Sequence, residues 1–145
     1  MNITEIKPSI GAIKVTDKVF GIWANEFLDC FDSFEIKTNS PVPYFLLCRA
    51  MELAFKSVHL KTKNILQVKK YSHNILKSYR DIPIGLKFLT KDQEILLESA
   101  NSFYSKKGFE YLTSEFMYET YTGSKGLPDI EKLAKLVREI IARYT

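Results

Sequence analysis

The spacing of the apolar residues constrains the fold of this chain most strongly. In five segments these residues recur at steps of three and four, which places them along one face of an α-helix. No segment reads convincingly as part of a β-sheet. The predicted helices run from about Thr16 to Lys37, from Pro41 to Lys61, from Ser72 to Arg80, from Thr90 to Gly108, and from Pro128 towards the C-terminus.

Residues that favour helix ends support these assignments. Ser40 is a predicted N-cap, with Pro41 in the first helical position. Thr90 and Gln93 have the spacing of a capping box, and Ser72 is suited to cap the third helix. The cap residues and the apolar periodicity therefore indicate the same helices.

The predicted architecture is all-α, an up-and-down bundle of about five helices. We expect a single domain over 1–145, with 1–12 as an N-terminal arm. Segment 61–71 reads as a basic, mostly polar linker. Segment 109–127 reads as an ordered loop packed through its aromatic rings, with a short strand or hairpin as the alternative.

The first predicted helix has an apolar face and the second has a polar face. The predicted inner face of the first consists of Phe20, Trp23, Ala24, Phe27, Phe31 and Phe34. The predicted polar face of the second consists of Arg49, Glu52, Lys56, His59 and Lys63.

The cysteine content and the lengths of the apolar runs indicate the cellular compartment of the protein. The only two cysteines, Cys30 and Cys48, are too few for a disulfide framework, and we predict that both are buried thiols. The N-terminus does not read as a signal peptide. The richest apolar run, Tyr44 to Leu60, is interrupted by charged residues and cannot span a membrane. A cytoplasmic protein without membrane contact is expected.

Positive charge is concentrated in one block. The chain has a net charge of +4, yet residues 53–80 hold seven basic residues and no acidic one. Such a block attracts phosphates, although a solvated surface has the same composition. The candidate nucleotide- or nucleic-acid-binding residues are Lys56, His59, Lys69, Lys70, His73, Lys77 and Arg80.

Neither a metal nor a cofactor is expected. A di-iron bundle needs Glu three residues before His, but Lys56 and Lys70 precede His59 and His73 at that spacing. No Cys/His spacing fits zinc, and there is no phosphate-binding glycine loop.

The two histidines have different predicted settings. His73, directly after Ser72, is placed at the first helical position, where it binds backbone groups or a phosphate; the structural role is favoured. His59 belongs to the polar stripe of the second helix and, beside Lys56 and Lys63, to a phosphate-facing surface.

Two stretches resemble the HEPN domain family. In that family a helix of the type A-x-E-L-x-L-K-A precedes a basic loop and a G-H-D-L helix start. Residues 50–56 resemble the first motif through Ala50, Glu52, Leu53, Ala54 and Lys56, and 71–76 resemble the second. The region from Tyr104 through Leu127-Pro128 is similar to the family's C-terminal pattern, although Glu110 replaces its arginine.

The resemblance implies a helical bundle that commonly forms homodimers and belongs to prokaryotic defence or toxin–antitoxin modules. Many relatives are metal-independent ribonucleases marked by Arg, four to six residues, then His. Here only Arg49 precedes a histidine, and His59 follows ten residues later, about 15 Å along a helix. The resemblance therefore carries over no catalytic residue.

Three functional hypotheses remain. The preferred one is a non-catalytic module that binds a nucleotide, RNA or a cognate protein partner. The second is a metal-independent endoribonuclease with a non-standard pair, for which Arg49 and His73 are the catalytic candidates. The third is a purely structural homodimer. Enzymatic activity is less expected than binding.

Overall fold

A computed structural model describes residues 15–37, 40–110 and 127–145. The predicted N-terminal arm 1–12 and most of the predicted loop 109–127 lie outside the described residues. The described ranges contain six α-helices and no β-strand, which confirms the all-α class. The helices are α1 Asp17–Ser33, α2 Val42–His59, α3 Ile65–Lys69, α4 Ile75–Arg80, α5 Lys91–Tyr104 and α6 Ile130–Tyr144, with a 3₁₀ turn at Ile84–Leu86.

Helix α2 is the centre of the bundle. It packs against α1, α4, α5 and α6, so little of its surface is left for water. Twelve of its eighteen residues are buried, among them the polar Glu52, Ser57 and His59. A helix in this position has little solvated surface, and its buried polar side chains must find partners inside the protein.

The start of α5 follows the predicted capping chemistry, whereas α2 begins at Val42 with Pro41 as its N-cap, one residue later than the predicted Ser40 cap. The Thr90 hydroxyl accepts from the Gln93 backbone N–H at 3.2 Å, and the Gln93 side chain accepts from the Thr90 N–H at 2.9 Å. The capping box is thereby confirmed. Asp129 caps α6 by accepting from the Lys132 N–H.

The C-terminus of α5 closes tightly. Lys107 has a left-handed backbone with φ of 60°, and the Gly108 N–H donates to the Phe103 carbonyl at 2.8 Å. This is the Schellman pattern. A Cβ at Gly108 would lie 2.9 Å from that carbonyl oxygen, so glycine is required by the close approach. The closure fixes the last turn of α5, which carries Tyr104.

Helix α1 differs from its prediction in length and in face. It ends at Ser33 and not at Lys37, and Phe34 is already extended. Its buried residues are Gly21, Ala24, Leu28 and Phe31. Trp23 is 37% exposed, and the neighbouring Ile22 is more exposed still. Ala24 and Phe31 of the predicted inner face are buried, Trp23 is not, and the buried Gly21 and Leu28 were not predicted.

The cysteine prediction is half right. Cys48 is buried, and burial raises the pKa of its thiol, with the Glu52 carboxylate adding to the effect. Cys30 lies on the outer side of α1 and is exposed, which corrects its assignment to the core.

The structure differs most from the prediction in the segment between α2 and α4. The predicted linker 61–71 contains α3, which is capped by a reciprocal Asn64–Gln67 box. Helix α4 begins at Ile75 with Asn74 as its N-cap, and not at Ser72. Ser72 has a left-handed φ of 49° and forms a turn. His73 is therefore in a turn before the helix and not in its first helical position.

No helix within the described ranges combines the length and apolarity that crossing a membrane requires.

Candidate functional site

Glu52 is a buried carboxylate in the middle of α2, with its side chain 1% exposed. A buried charge is costly unless opposite charges and hydrogen-bond donors surround it. Four side chains contact it: Arg49 and Lys56 from α2, His73 from the turn before α4, and Tyr104 from the end of α5. We refer to these five residues as the Glu52 cluster.

The contacts divide between the two carboxylate oxygens. Oε1 accepts from His73 Nδ1 at 2.7 Å and from the Tyr104 hydroxyl at 3.1 Å. Oε2 accepts from Arg49 Nη1, and the Lys56 ammonium lies 3.6 Å away. Both oxygens are therefore satisfied, as a buried carboxylate requires.

Helical spacing places the three α2 members on one side. Residues 49, 52 and 56 are three and four positions apart, so they lie side by side on the surface of the helix. That side faces the turn before α4 and the end of α5. The predicted polar stripe of α2 is thus real, but it is turned towards other parts of the protein.

A second contact of Lys56 holds the turn that carries His73. The Lys56 ammonium donates to the Ser72 carbonyl at 2.7 Å. Ser72 is the residue with left-handed backbone, and its neighbour Tyr71 is buried. The turn is thereby fixed on both sides, which keeps the His73 imidazole on Glu52.

Two members of the cluster extend to the surface. The side chains of Arg49 and His73 are 32% and 27% exposed, against 12% for Lys56. Burial lowers the pKa of Lys56, and the nearby Glu52 carboxylate opposes that shift. Burial, with the Glu52 charge, raises the pKa of Tyr104, so its hydroxyl remains a hydrogen-bond donor.

The charges of the cluster do not cancel. Two cations, Arg49 and Lys56, share one carboxylate, which leaves an excess of positive charge beside the exposed edges of Arg49 and His73. An excess of this sign attracts an anion and repels a metal cation. The described residues hold no group of three or more His, Cys, Asp or Glu side chains arranged for a metal.

The structure brings together three of the predicted site residues. Arg49, the ribonuclease candidate, and Lys56 meet His73 on the same carboxylate. Two members were missed. Glu52 was assigned only to the polar face of the second helix, and Tyr104 was not among the predicted site residues. The signal for Glu52 was a basic residue three positions before it and another four positions after it.

His59 is not part of this surface, which corrects its prediction. Its ring is 2% exposed and stacks on Tyr71 with centroids 4.6 Å apart. Nε2 lies 2.7 Å from the Ser78 carbonyl and must donate to it, while Nδ1 accepts from the Lys63 ammonium at 3.2 Å. Burial lowers the pKa of His59 below its usual value. This histidine belongs to the core.

The other predicted basic residues lie on the surface outside the Glu52 cluster. Lys69, Lys70, Lys77 and Arg80 are exposed on α3, α4 and the turn between them. Lys77 pairs with Asp81 one helical turn away, at 3.2 Å. Lys70 precedes His73 by three residues, which limits the distance between their Cα atoms to about 11 Å.

Comparisons of the chain with protein-family models, with curated proteins and with solved structures found no match to any of them. The resemblance to HEPN domains therefore rests on the quoted motifs alone.

Proposed function

We propose that the Glu52 cluster binds a phosphate group of RNA. The observation that carries the proposal is the convergence of Arg49, Lys56 and His73 on one buried carboxylate, with excess positive charge at the surface. Guanidinium, ammonium and imidazole groups are the usual protein donors to phosphate. Glu52 orients these donors, and its single charge does not cancel theirs.

The exposed lysines of the basic block support the same proposal. Lys69 and Lys70 lie just before the turn that carries His73. They are placed to meet further phosphates of a polymer, whereas a single phosphate needs only the Glu52 cluster. The expected ligand is therefore an RNA strand that extends from Arg49 and His73 towards α3.

Fluorescence anisotropy with a labelled short single-stranded RNA tests this proposal. We expect binding that weakens steeply as salt is raised. His73→Ala should weaken it by about tenfold or more, since a hydrogen bond to a charged group is lost. Lys132→Ala removes an exposed charge on α6 and is the matched control. Absence of binding at low salt, or equal loss in both variants, would contradict the proposal.

RNA cleavage is the second candidate function, and the His73–Glu52 contact favours it. A carboxylate that accepts from Nδ1 fixes the imidazole and directs Nε2 away from Glu52, as in sites where histidine transfers protons. Nε2 would take the proton of a ribose 2′-hydroxyl. The 2′-oxygen then bonds to the adjacent phosphorus as the bond from phosphorus to the 5′-oxygen breaks. The leaving 5′-oxygen takes a proton from water, and Nε2 returns its proton to solvent. Arg49 would stabilise the phosphorane charge.

The products separate cleavage from binding. This reaction yields a 2′,3′-cyclic phosphate and a 5′-hydroxyl, which mass spectrometry detects. DNA of the same sequence has no 2′-hydroxyl and should remain intact. Cleavage that persists in His73→Ala would contradict the assignment, and binding without cleavage would leave the cluster as a binding site.

Homodimer formation, in a defence or toxin–antitoxin setting, is a further proposal. Its support is the exposed apolar surface of α1 at Ile22 and Trp23. Light scattering at several protein concentrations tests it, and a monomer throughout would contradict it.

A further inference from the structure

Arg49 contacts an aromatic ring as well as Glu52. Its guanidinium carbon lies 5.9 Å from the centroid of the Phe27 ring, over the ring. Phe27 comes from α1 and is half-buried, with its ring edge-to-face against Phe45 at 6.5 Å. The ring faces one side of the guanidinium at the distance of a cation–π interaction, and the Arg49 side chain is still about one third exposed.

A guanidinium held in this way offers a flat surface for stacking. One of its N–H groups is held by Glu52, which limits rotation of the plane. Nucleic-acid bases stack on arginine planes and on aromatic rings when they are unpaired and turned out of a helix. A base inside a duplex has both faces covered by its neighbours and cannot do so.

From this geometry we infer that Arg49, supported by Phe27, stacks against a base of the ligand. The inference rests on the proposed phosphate site, and it narrows the ligand to single-stranded RNA with an unpaired base beside the bound phosphate. His73 and Lys56 would hold the phosphate, and Arg49 would contact both phosphate and base. A duplex or a strand without bases would use only the phosphate contacts.

The test compares a short single-stranded RNA with an abasic backbone of equal length and charge, by fluorescence anisotropy. The wild-type protein should bind the base-bearing strand about 5- to 150-fold more tightly, the range that one stacked base contributes. Arg49→Lys keeps the charge but loses the plane, and Phe27→Leu keeps an apolar support but loses the ring. Phe27→Leu should reduce the affinity ratio of the two strands towards one while it retains binding of the abasic strand. Arg49→Lys should also reduce this ratio, and because Arg49 is a phosphate donor it should weaken binding of both strands.

Arg143, in the last turn of α6, provides a matched control. Its guanidinium carbon lies 5.1 Å from the centroid of the Phe88 ring. Arg143→Lys should leave the preference unchanged. Equal affinity of the wild-type protein for both strands would overturn the stacking inference while the phosphate site stands. A preference that survives in Arg49→Lys would overturn the assignment to Arg49. Failure to bind either strand would overturn the proposed function and this inference together.

Discussion

Glu52 and His59 lie two turns apart on α2, and both side chains are buried, but their surroundings differ. Two of the four partners of Glu52, Arg49 and Lys56, are cations, and Arg49 and His73 extend to the surface. The partners of His59 are a backbone carbonyl, an ammonium group and an aromatic ring, all within the fold. One region presents charge to solvent and the other encloses a neutral group. Burial alone therefore does not separate a candidate site from the core.

The two regions also differ in how many hydrogen-bonding groups remain available for a ligand. His59 uses both ring nitrogens on protein partners, so it has no donor or acceptor left for a ligand. Arg49 gives one of its donors to Glu52 and still has others on an exposed side chain. A ligand can thus be recognised at Glu52 without disturbing the core, whereas one at His59 would have to displace Ser78 or Lys63.

Replacement of Glu52 should produce the largest change in stability. Glu52→Leu leaves Arg49 and Lys56 without their carboxylate, and we expect a loss of about 3–5 kcal/mol in the free energy of unfolding. Urea unfolding measures it. Asp32→Leu, which breaks an exposed pair with Arg138, is the control and should cost at most about 1 kcal/mol. Similar losses in the two variants would show that Glu52 is not held by its charged partners.

His59 should rank second. His59→Ala removes the donor to the Ser78 carbonyl and the ring stacked on Tyr71, and we expect a loss of about 1–3 kcal/mol in the free energy of unfolding. RNA binding should be unchanged in this variant. If His59→Ala weakened RNA binding but not stability, the two histidines would have exchanged the roles assigned to them.

The pH dependence of the free energy of unfolding should also reflect the burial of His59. Because burial lowers the pKa of folded His59 below 6.5, the unfolded chain binds its proton more readily. The free energy of unfolding should therefore be highest above pH 6.5 and fall as the pH drops below that value. Urea unfolding between about pH 8 and pH 5 measures this slope.

A variant that cannot titrate provides the control for that slope. His59→Gln can still donate to Ser78 but takes up no proton, so the decline over this range should become shallower. Asp32 and Asp81 have pKa values below 3.8, and their contribution is lost only at lower pH. An unchanged slope in His59→Gln would contradict the assignment of the decline to His59.

The smallest effect is expected for the exposed pair on α4. Lys77→Ala removes the contact with Asp81, and because both side chains are well exposed the loss should be about 0.5 kcal/mol or less. Thermal unfolding in low and high salt measures it. A loss above 1 kcal/mol in the free energy of unfolding would show that Lys77 stabilises the fold and does not simply lie on a solvated surface.

Local chemistry was predictable from the sequence where a short motif determines it. The Thr90–Gln93 box appears as predicted, because a capping box depends only on two residues three positions apart. The Asn64–Gln67 box uses the same spacing, yet the surrounding lysines favoured a linker. The left-handed turn at Ser72 has no comparable marker, which is why the position of His73 was wrong.

The composition of the site was less predictable than the helices. Arg49 and His73 were named together as candidates from the sequence, and both side chains contact Glu52. The burial of Glu52 was not predictable, because it depends on the helices that pack around α2, which is a property of the whole bundle. Tyr104 illustrates the same limit, since its hydroxyl reaches Glu52 only after α5 has docked on α2.

The two histidines also supply the most direct test of the central claim, that the Glu52 cluster is the phosphate site. In protein with ¹⁵N-labelled histidine, only His59 and His73 give imidazole signals, and inorganic phosphate can be titrated against both at constant pH. We predict that the signals of His73 shift with saturation while those of His59 stay unchanged. Shifts at His59 with none at His73, or no shift at either ring, would contradict the claim.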